Sequence, residues 1–81
     1  MKGAFCMKKI SISLSSIANV KEFVEMVTMS DFEIDLVSGR YTVDAKSIMG
    51  IFSLDLAKPI ELVAHTDNAD ALFKKLEKFA V

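Results

Sequence analysis

A change of hydrophobic period near the start of the chain constrains its fold most strongly. Ile10, Ile12 and Leu14 alternate with serines, which is the two-residue period of a half-buried strand. From residue 17 onward the apolar residues recur every three or four positions, as in an amphipathic helix: Ile17, Val20, Phe23, Val24 and Val27. A strand that runs directly into a helix predicts a mixed fold, with helices packed on one sheet.

The rest of the chain repeats both periods. Alternation predicts further strands over residues 32–36, 41–45 and 60–65. Ser38-Gly39 predicts a tight hairpin between the second and third strands, because glycine accepts a positive φ. Short apolar spacing predicts a helix after Ser47 and a last helix that starts at Asp67 or Asn68.

These elements follow one another in the order β-α-β-β-α-β-α. The 81 residues suffice for a single domain, and the first seven are expected to form a flexible N-terminus. Alternating strands have one apolar face, so we expect the helices to cover that face and leave the other wet. The predicted class is α+β, an open-faced β-sandwich with two layers around one core.

The start of the first helix allows two interpretations. Ser15 or Ser16 could cap it with a hydroxyl oxygen. Alternatively, Asn19 with Glu22 three residues later forms a capping-box pattern. Met26 and Met29, near the end of this helix, are expected to fill the core.

Composition excludes several functions. Ten lysines and arginines against eleven acidic residues give a net charge of −1, without the basic excess that nucleic-acid binding needs. No apolar run approaches the ~20 residues of a membrane span. The absence of a signal peptide favours a cytoplasmic location. Cys6 is the only cysteine, so an intramolecular disulfide is impossible.

Residues that could carry chemistry are few. His65 is the only histidine, at a strand end on the predicted polar face, and we expect it to be solvated and not catalytic. Asp67 is the nearby carboxylate that could orient it. Three acidic residues are expected to form a solvated sheet face: Glu33, Asp35 and Asp44. No metal-ligand spacing or glycine-rich phosphate loop is present, which predicts a protein without metal, cofactor or enzymatic activity.

The segment 46–52 is the exception. Its short helix cannot bury every apolar side chain on one stripe, so Met49, with Ile48 or Phe52, is expected to stay exposed beside the Ser47 hydroxyl. An exposed apolar patch of this kind favours a docking surface, although simple packing is the alternative.

Val43 through Leu54 resembles the segment around the regulatory serine of HPr, the histidine-containing phosphocarrier of the bacterial sugar phosphotransferase system. The resemblance spans about residues 9–79 and implies a four-stranded antiparallel sheet with helices on one side. In that family, Enzyme I phosphorylates a histidine at the start of the first helix. Ser47 matches the serine phosphorylated by HPr kinase, and three residues match the apolar docking patch: Ile48, Met49 and Phe52.

The histidine motif of the family is absent. Counted back from Ser47 without gaps, its histidine falls on Ser16, its arginine on Ala18 and its proline on Asn19. A phosphoserine ester has a much lower transfer potential than a phosphoimidazole, so Ser16 is not expected to relay phosphate.

The resemblance therefore implies a binding or regulatory protein that acts through the Ser47 helix. Its expected partners are phosphotransferase-system components or HPr kinase. Two alternatives remain: a phosphocarrier that uses another residue such as His65, and a structural or oligomerisation module.

Overall fold

The computed structural model describes residues 7–81, and the chain forms the predicted order of elements. The expectations for Cys6 and for a flexible N-terminus lie outside the described residues, apart from Met7, which is exposed. The strands are β1 (Lys8–Ile12), β2 (Ile34–Ser38), β3 (Tyr41–Asp44) and β4 (Ile60–Ala64). The helices are α1 (Ile17–Thr28), α2 (Ile48–Phe52) and α3 (Asp70–Lys75), and a 3₁₀ turn (Glu77–Phe79) follows.

The four strands form one antiparallel sheet in the order β1-β4-β2-β3. Leu36 on β2 lies opposite Leu62 on β4, which in turn lies opposite Ile10 on β1. The β2–β3 hairpin turns through Gly39 and Arg40, and Gly39 has the predicted positive φ, at 60°. The α+β open-faced sandwich is therefore confirmed.

The core lies on the helical side of the sheet. Inward residues of β1, β2 and β4 are fully buried against α1 and the C-terminal turns, and they include Ile12, Leu36, Ile60 and Leu62. Phe23 of α1 meets Phe79 edge to face, with ring centroids 6.2 Å apart and an interplanar angle of 82°. Aromatic pairs prefer this arrangement, so it fixes the last turns of the chain against α1.

The open face of the sheet differs from the sequence prediction at one position. Alternation places Val63 among the polar residues, yet its side chain is buried. Lys9 on β1 and Asp35 on β2 lie directly opposite Val63 on either side, so its neighbours on the same face shield it from water. The central strand therefore buries residues on both faces.

Several predicted boundaries and caps were wrong. β1 begins at Lys8, and β2 is shifted forward to Ile34–Ser38, because pairing with β4 sets the ends of both strands. Neither Asp67 nor Asn68 caps α3. Its N-cap position is Ala69, without a side-chain hydrogen bond, and the Asn68 side-chain oxygen instead accepts from the Asp70 N–H at 3.4 Å in the preceding turn.

Met29 was also predicted wrongly. Met26 packs against the core as expected, but Met29 is 84% exposed. Met29 is the residue after the last turn of α1, where the chain leaves the helix and the apolar stripe no longer faces the sheet. Within residues 7–81, no helix is long and apolar enough to cross a membrane, and no acidic, histidine or cysteine cluster could hold a metal ion.

Candidate functional site

Ser47 begins helix α2, as its position in the sequence predicts. Its backbone is extended, its Oγ accepts from the Gly50 N–H at 3.2 Å, and its carbonyl accepts from the Ile51 N–H at 3.0 Å. The serine thus satisfies N–H groups that have no partner inside the helix. The side chain remains exposed, so its hydroxyl can be reached from solvent.

Helix α2 divides its apolar side chains between core and solvent. Ile51 is fully buried and Ile48 packs partly against the core. Met49 is 77% exposed and Phe52 is 40% exposed. A five-residue helix turns fewer than two times, so it cannot place four large side chains on one face. We call Ile48, Met49 and Phe52, together with the Ser47 hydroxyl, the α2 patch.

Lys46 anchors the approach to α2. Its Nζ donates to the carbonyl oxygens of Ser30 at 2.9 Å and of Phe32 at 3.2 Å, in the loop that follows α1. Its own N–H donates to the Asp44 carboxylate at 2.9 Å. These bonds tie the residue before Ser47 to two other parts of the fold, so the helix start is held in place.

Ser16 begins helix α1 in the same way. Its Oγ accepts from the Asn19 N–H at 3.1 Å, and its carbonyl accepts from the Val20 N–H at 3.1 Å. The first of the two predicted starts is thus confirmed, and the capping box at Asn19 does not form. Ile17, the first apolar residue of the predicted stripe, is 65% exposed, whereas Val20, Phe23 and Val27 are buried. Helices α1 and α2 contact each other.

The sequence predicted a solvated His65, but the side chain contacts a carboxylate. Its Nε2 lies 2.7 Å from an Asp35 carboxylate oxygen, and both side chains are about one-third exposed, at 33% and 35%. A carboxylate accepts, so Nε2 is the protonated nitrogen and Nδ1 keeps a free lone pair in the neutral ring. Asp35 occupies the role expected of Asp67, because the pairing of β2 with β4 brings it across from the end of β4.

The order of strands and the three helices on one face define an open-faced α+β sandwich, in which a serine caps α2. The model of the family described as "PTS HPr component phosphorylation site" matches residues 17–80. The chain therefore belongs to the HPr family, the phosphocarriers of the sugar phosphotransferase system. The matched residues begin immediately after Ser16.

Two solved structures are similar to this chain. One, titled HPr-C-His, comes from Thermoanaerobacter tengcongensis, with 26% identity over 88% of each chain and a TM-score of 0.74. The other, a phosphocarrier protein HPr from Bacillus anthracis str. Ames, has 26% identity and a TM-score of 0.71. That match covers 96% of this chain and 99% of the other. No curated protein matches the chain.

Sequence reasoning missed two features of these sites. No sequence pattern indicated the Lys46 anchor, because its carbonyl partners lie 14 and 16 residues away in a loop. The Asp35–His65 pair joins residues 30 positions apart, so only the strand order of the sheet could have shown it.

Proposed function

We propose that this protein is an HPr-family binding protein that docks a protein partner through the α2 patch and does not relay phosphate from the start of α1. The observation that carries the proposal is the exposure of Met49 and Phe52 beside the Ser47 hydroxyl, on a helix held in place by Lys46. Exposed apolar side chains on a rigid support are typical of recognition surfaces.

The start of α1 supports the second half of the proposal. Counted back from Ser47 without gaps, the family's phosphate-accepting histidine falls on Ser16, and the hydroxyl oxygen of Ser16 already accepts from the Asn19 N–H. By the same count, the family's arginine, the cation that would neutralise a phosphoryl group, falls on Ala18. A serine in this environment has neither the nucleophilicity nor the leaving-group chemistry of an imidazole.

Ser47 is the proposed switch. Phosphorylation would add about two negative charges and three acceptor oxygens at the start of α2. The charges would lie next to Met49 and Phe52, so a partner that buries these side chains would have to desolvate the phosphate or offer a cation to it. The modification therefore changes which partners bind and leaves the fold unaltered.

Binding of Enzyme I to purified protein tests the docking surface. Met49→Asp should weaken binding at least about tenfold, because it places a charge in the centre of the patch. Met29→Asp is the matched control, since Met29 is equally exposed but lies outside the patch. Equal binding of both variants would count against docking at α2.

Treatment with HPr kinase and ATP tests the switch. Mass spectrometry should find one phosphate on Ser47, and Ser47→Ala should abolish it. If this protein stays unmodified under conditions that fully modify the Bacillus anthracis HPr, Ser47 is not a phosphorylation switch. That result would leave the proposed docking surface unaffected.

A second candidate function is phosphate transfer through His65. The favourable observation is the 2.7 Å contact with Asp35, which orients the ring and leaves Nδ1 free. Against it, Asp35 contacts His65 and Glu33 accepts from the His65 N–H through its backbone carbonyl, so two acidic residues lie near the ring and would repel a phosphoryl group. Acid-labile label on His65 after incubation with Enzyme I and labelled phosphoenolpyruvate would favour this second function.

A further inference from the structure

A surface cleft lies between the β2–β3 turn and the segment that follows α2. It has a volume of 360 Å³ and opens to solvent. Ser38, Arg40 and Tyr41 line one side, while Ser53, Asp55 and Lys58 line the other. None of these residues belongs to the α2 patch, so the proposed docking function does not account for the cleft.

Cationic donors outnumber anions in this cleft. Arg40 forms no ion pair with any of residues 7–81. Lys58 has one carboxylate neighbour, Asp55, at 3.9 Å, and both side chains are largely exposed, at 76% and 57%. Exposed pairs at this distance are weak, so Lys58 remains available to a ligand. The protein as a whole carries a net charge of −1, which makes the local excess of positive charge distinctive.

The single carboxylate of the cleft has a structural role. One oxygen of Asp55 accepts from the Ala57 N–H at 3.1 Å and shapes the loop that carries Lys58. Ser53, on the same side of the cleft, donates its hydroxyl proton to the Gly50 carbonyl at 2.5 Å at the end of α2. Local hydrogen bonds thus hold the side of the cleft that carries Lys58.

Tyr41 adds a planar surface to the cleft. Its side chain is 72% exposed, although it belongs to β3 and lies beside Arg40 at the hairpin turn. A guanidinium group and an ammonium group suit the oxygens of a phosphate, and an exposed aromatic ring suits a planar group attached to it.

From these features we propose that the cleft binds a small phosphate monoester that carries a planar ring. Arg40 and Lys58 hold the phosphate oxygens, and the Tyr41 ring stacks on the planar group. The volume lies at the lower end of small-molecule sites, which fits one phosphate and one ring. This binding site goes beyond the proposed docking function and does not depend on it.

Phenyl phosphate and inorganic phosphate are the probes. Amide chemical shifts are followed by NMR at pH 7.5, where the phosphate is mostly dianionic. Phenyl phosphate should shift the amides of residues 38–41 and 53–58 and should bind at least about threefold more tightly than inorganic phosphate, because only the monoester reaches Tyr41.

Two variants of the cleft should change the affinity in opposite directions. Arg40→Gln removes the guanidinium group and should weaken phenyl phosphate binding about tenfold. Asp55→Asn keeps an acceptor for the Ala57 N–H but removes the repelling charge, so it should strengthen binding about twofold or more. Lys74→Gln and Glu25→Gln make the same charge changes at exposed helix positions away from the cleft, and they should leave the affinity unaltered.

Three results would overturn the proposal. The first is the absence of localised shifts with either probe, and the second is equal affinity for phenyl phosphate and inorganic phosphate. The third is an affinity that follows net charge alone, so that Arg40→Gln matches Lys74→Gln. Because the α2 patch is intact in all four variants, these results leave the docking proposal unaffected.

Discussion

At the scale of single residues, Lys46 shows how a polar contact can position a surface. Its ammonium group bonds to two backbone carbonyls of the loop after α1 and is partly buried there. Charge-assisted bonds of this kind contribute more than neutral ones, and their loss leaves carbonyls without a partner. Lys46 therefore links the loop that follows α1 to the start of α2.

Lys46→Met tests this connection. The methionine keeps most of the aliphatic stem but cannot donate, so the free energy of unfolding should fall by about 1–3 kcal/mol. Lys74→Met, at an exposed position of α3, should change stability by less than about 0.5 kcal/mol. Urea denaturation of both variants measures the difference. Equal stabilities would mean that the Lys46 bonds contribute nothing to the fold.

The pair of His65 and Asp35 makes a second prediction at this scale. Because Asp35 accepts from Nε2, the neutral ring should carry its proton on that nitrogen. Nitrogen-15 chemical shifts of the ring, measured above pH 8, distinguish the two tautomers. Asp35→Asn should reduce the preference for the Nε2–H form. A wild-type ring protonated mainly on Nδ1 would contradict the contact.

At the scale of elements, the two serine caps were predictable and the third cap was not. Ser16 and Ser47 each precede an apolar run and each accept from an N–H three residues later. For α3 the sequence offered Asp67 and Asn68, but the turn that leaves β4 places them before the helix starts. The direction of the chain after a strand, which is a tertiary property, excluded both candidate caps.

Helix α2 provides the prediction for this scale. Ser47→Ala removes the Oγ that accepts from the Gly50 N–H and should cost about 1 kcal/mol of stability. Ser47→Asp retains an acceptor and adds a charge beside Met49 and Phe52, so it should keep stability but weaken partner binding. Thermal unfolding and Enzyme I binding separate these effects. A loss of stability in Ser47→Asp as large as in Ser47→Ala would contradict the capping role.

At the scale of the whole molecule, the class of fold and the order of elements could be predicted from the sequence, but the neighbours in the sheet could not be predicted from periodicity. Alternation shows that Ile60, Leu62 and Ala64 share a face, but not that β4 lies between β1 and β2. The burial of Val63 and the Asp35–His65 pair both follow from that placement. The last residues add a contact of this kind, since the Val81 N–H donates to the Ser11 carbonyl at 3.1 Å beside β1.

Self-association of this chain through the α2 patch is the alternative to docking of a different protein. If the α2 patch served only to join copies of the chain, wild-type protein would show a concentration-dependent increase in mass and Met49→Asp would not. We expect monomer mass for both by analytical ultracentrifugation. A wild-type dimer that Met49→Asp abolishes would replace partner docking with an oligomerisation role.

We propose that this HPr-family chain presents a recognition surface on α2 without a phosphate relay at the start of α1. The most direct test is incubation with Enzyme I and labelled phosphoenolpyruvate, followed by mapping of the label. The Bacillus anthracis HPr serves as the positive control. We expect no transferable phosphoryl group on this protein under conditions that label the control. Acid-labile label on His65, or label on Ser16 that passes on to a further acceptor, would contradict it.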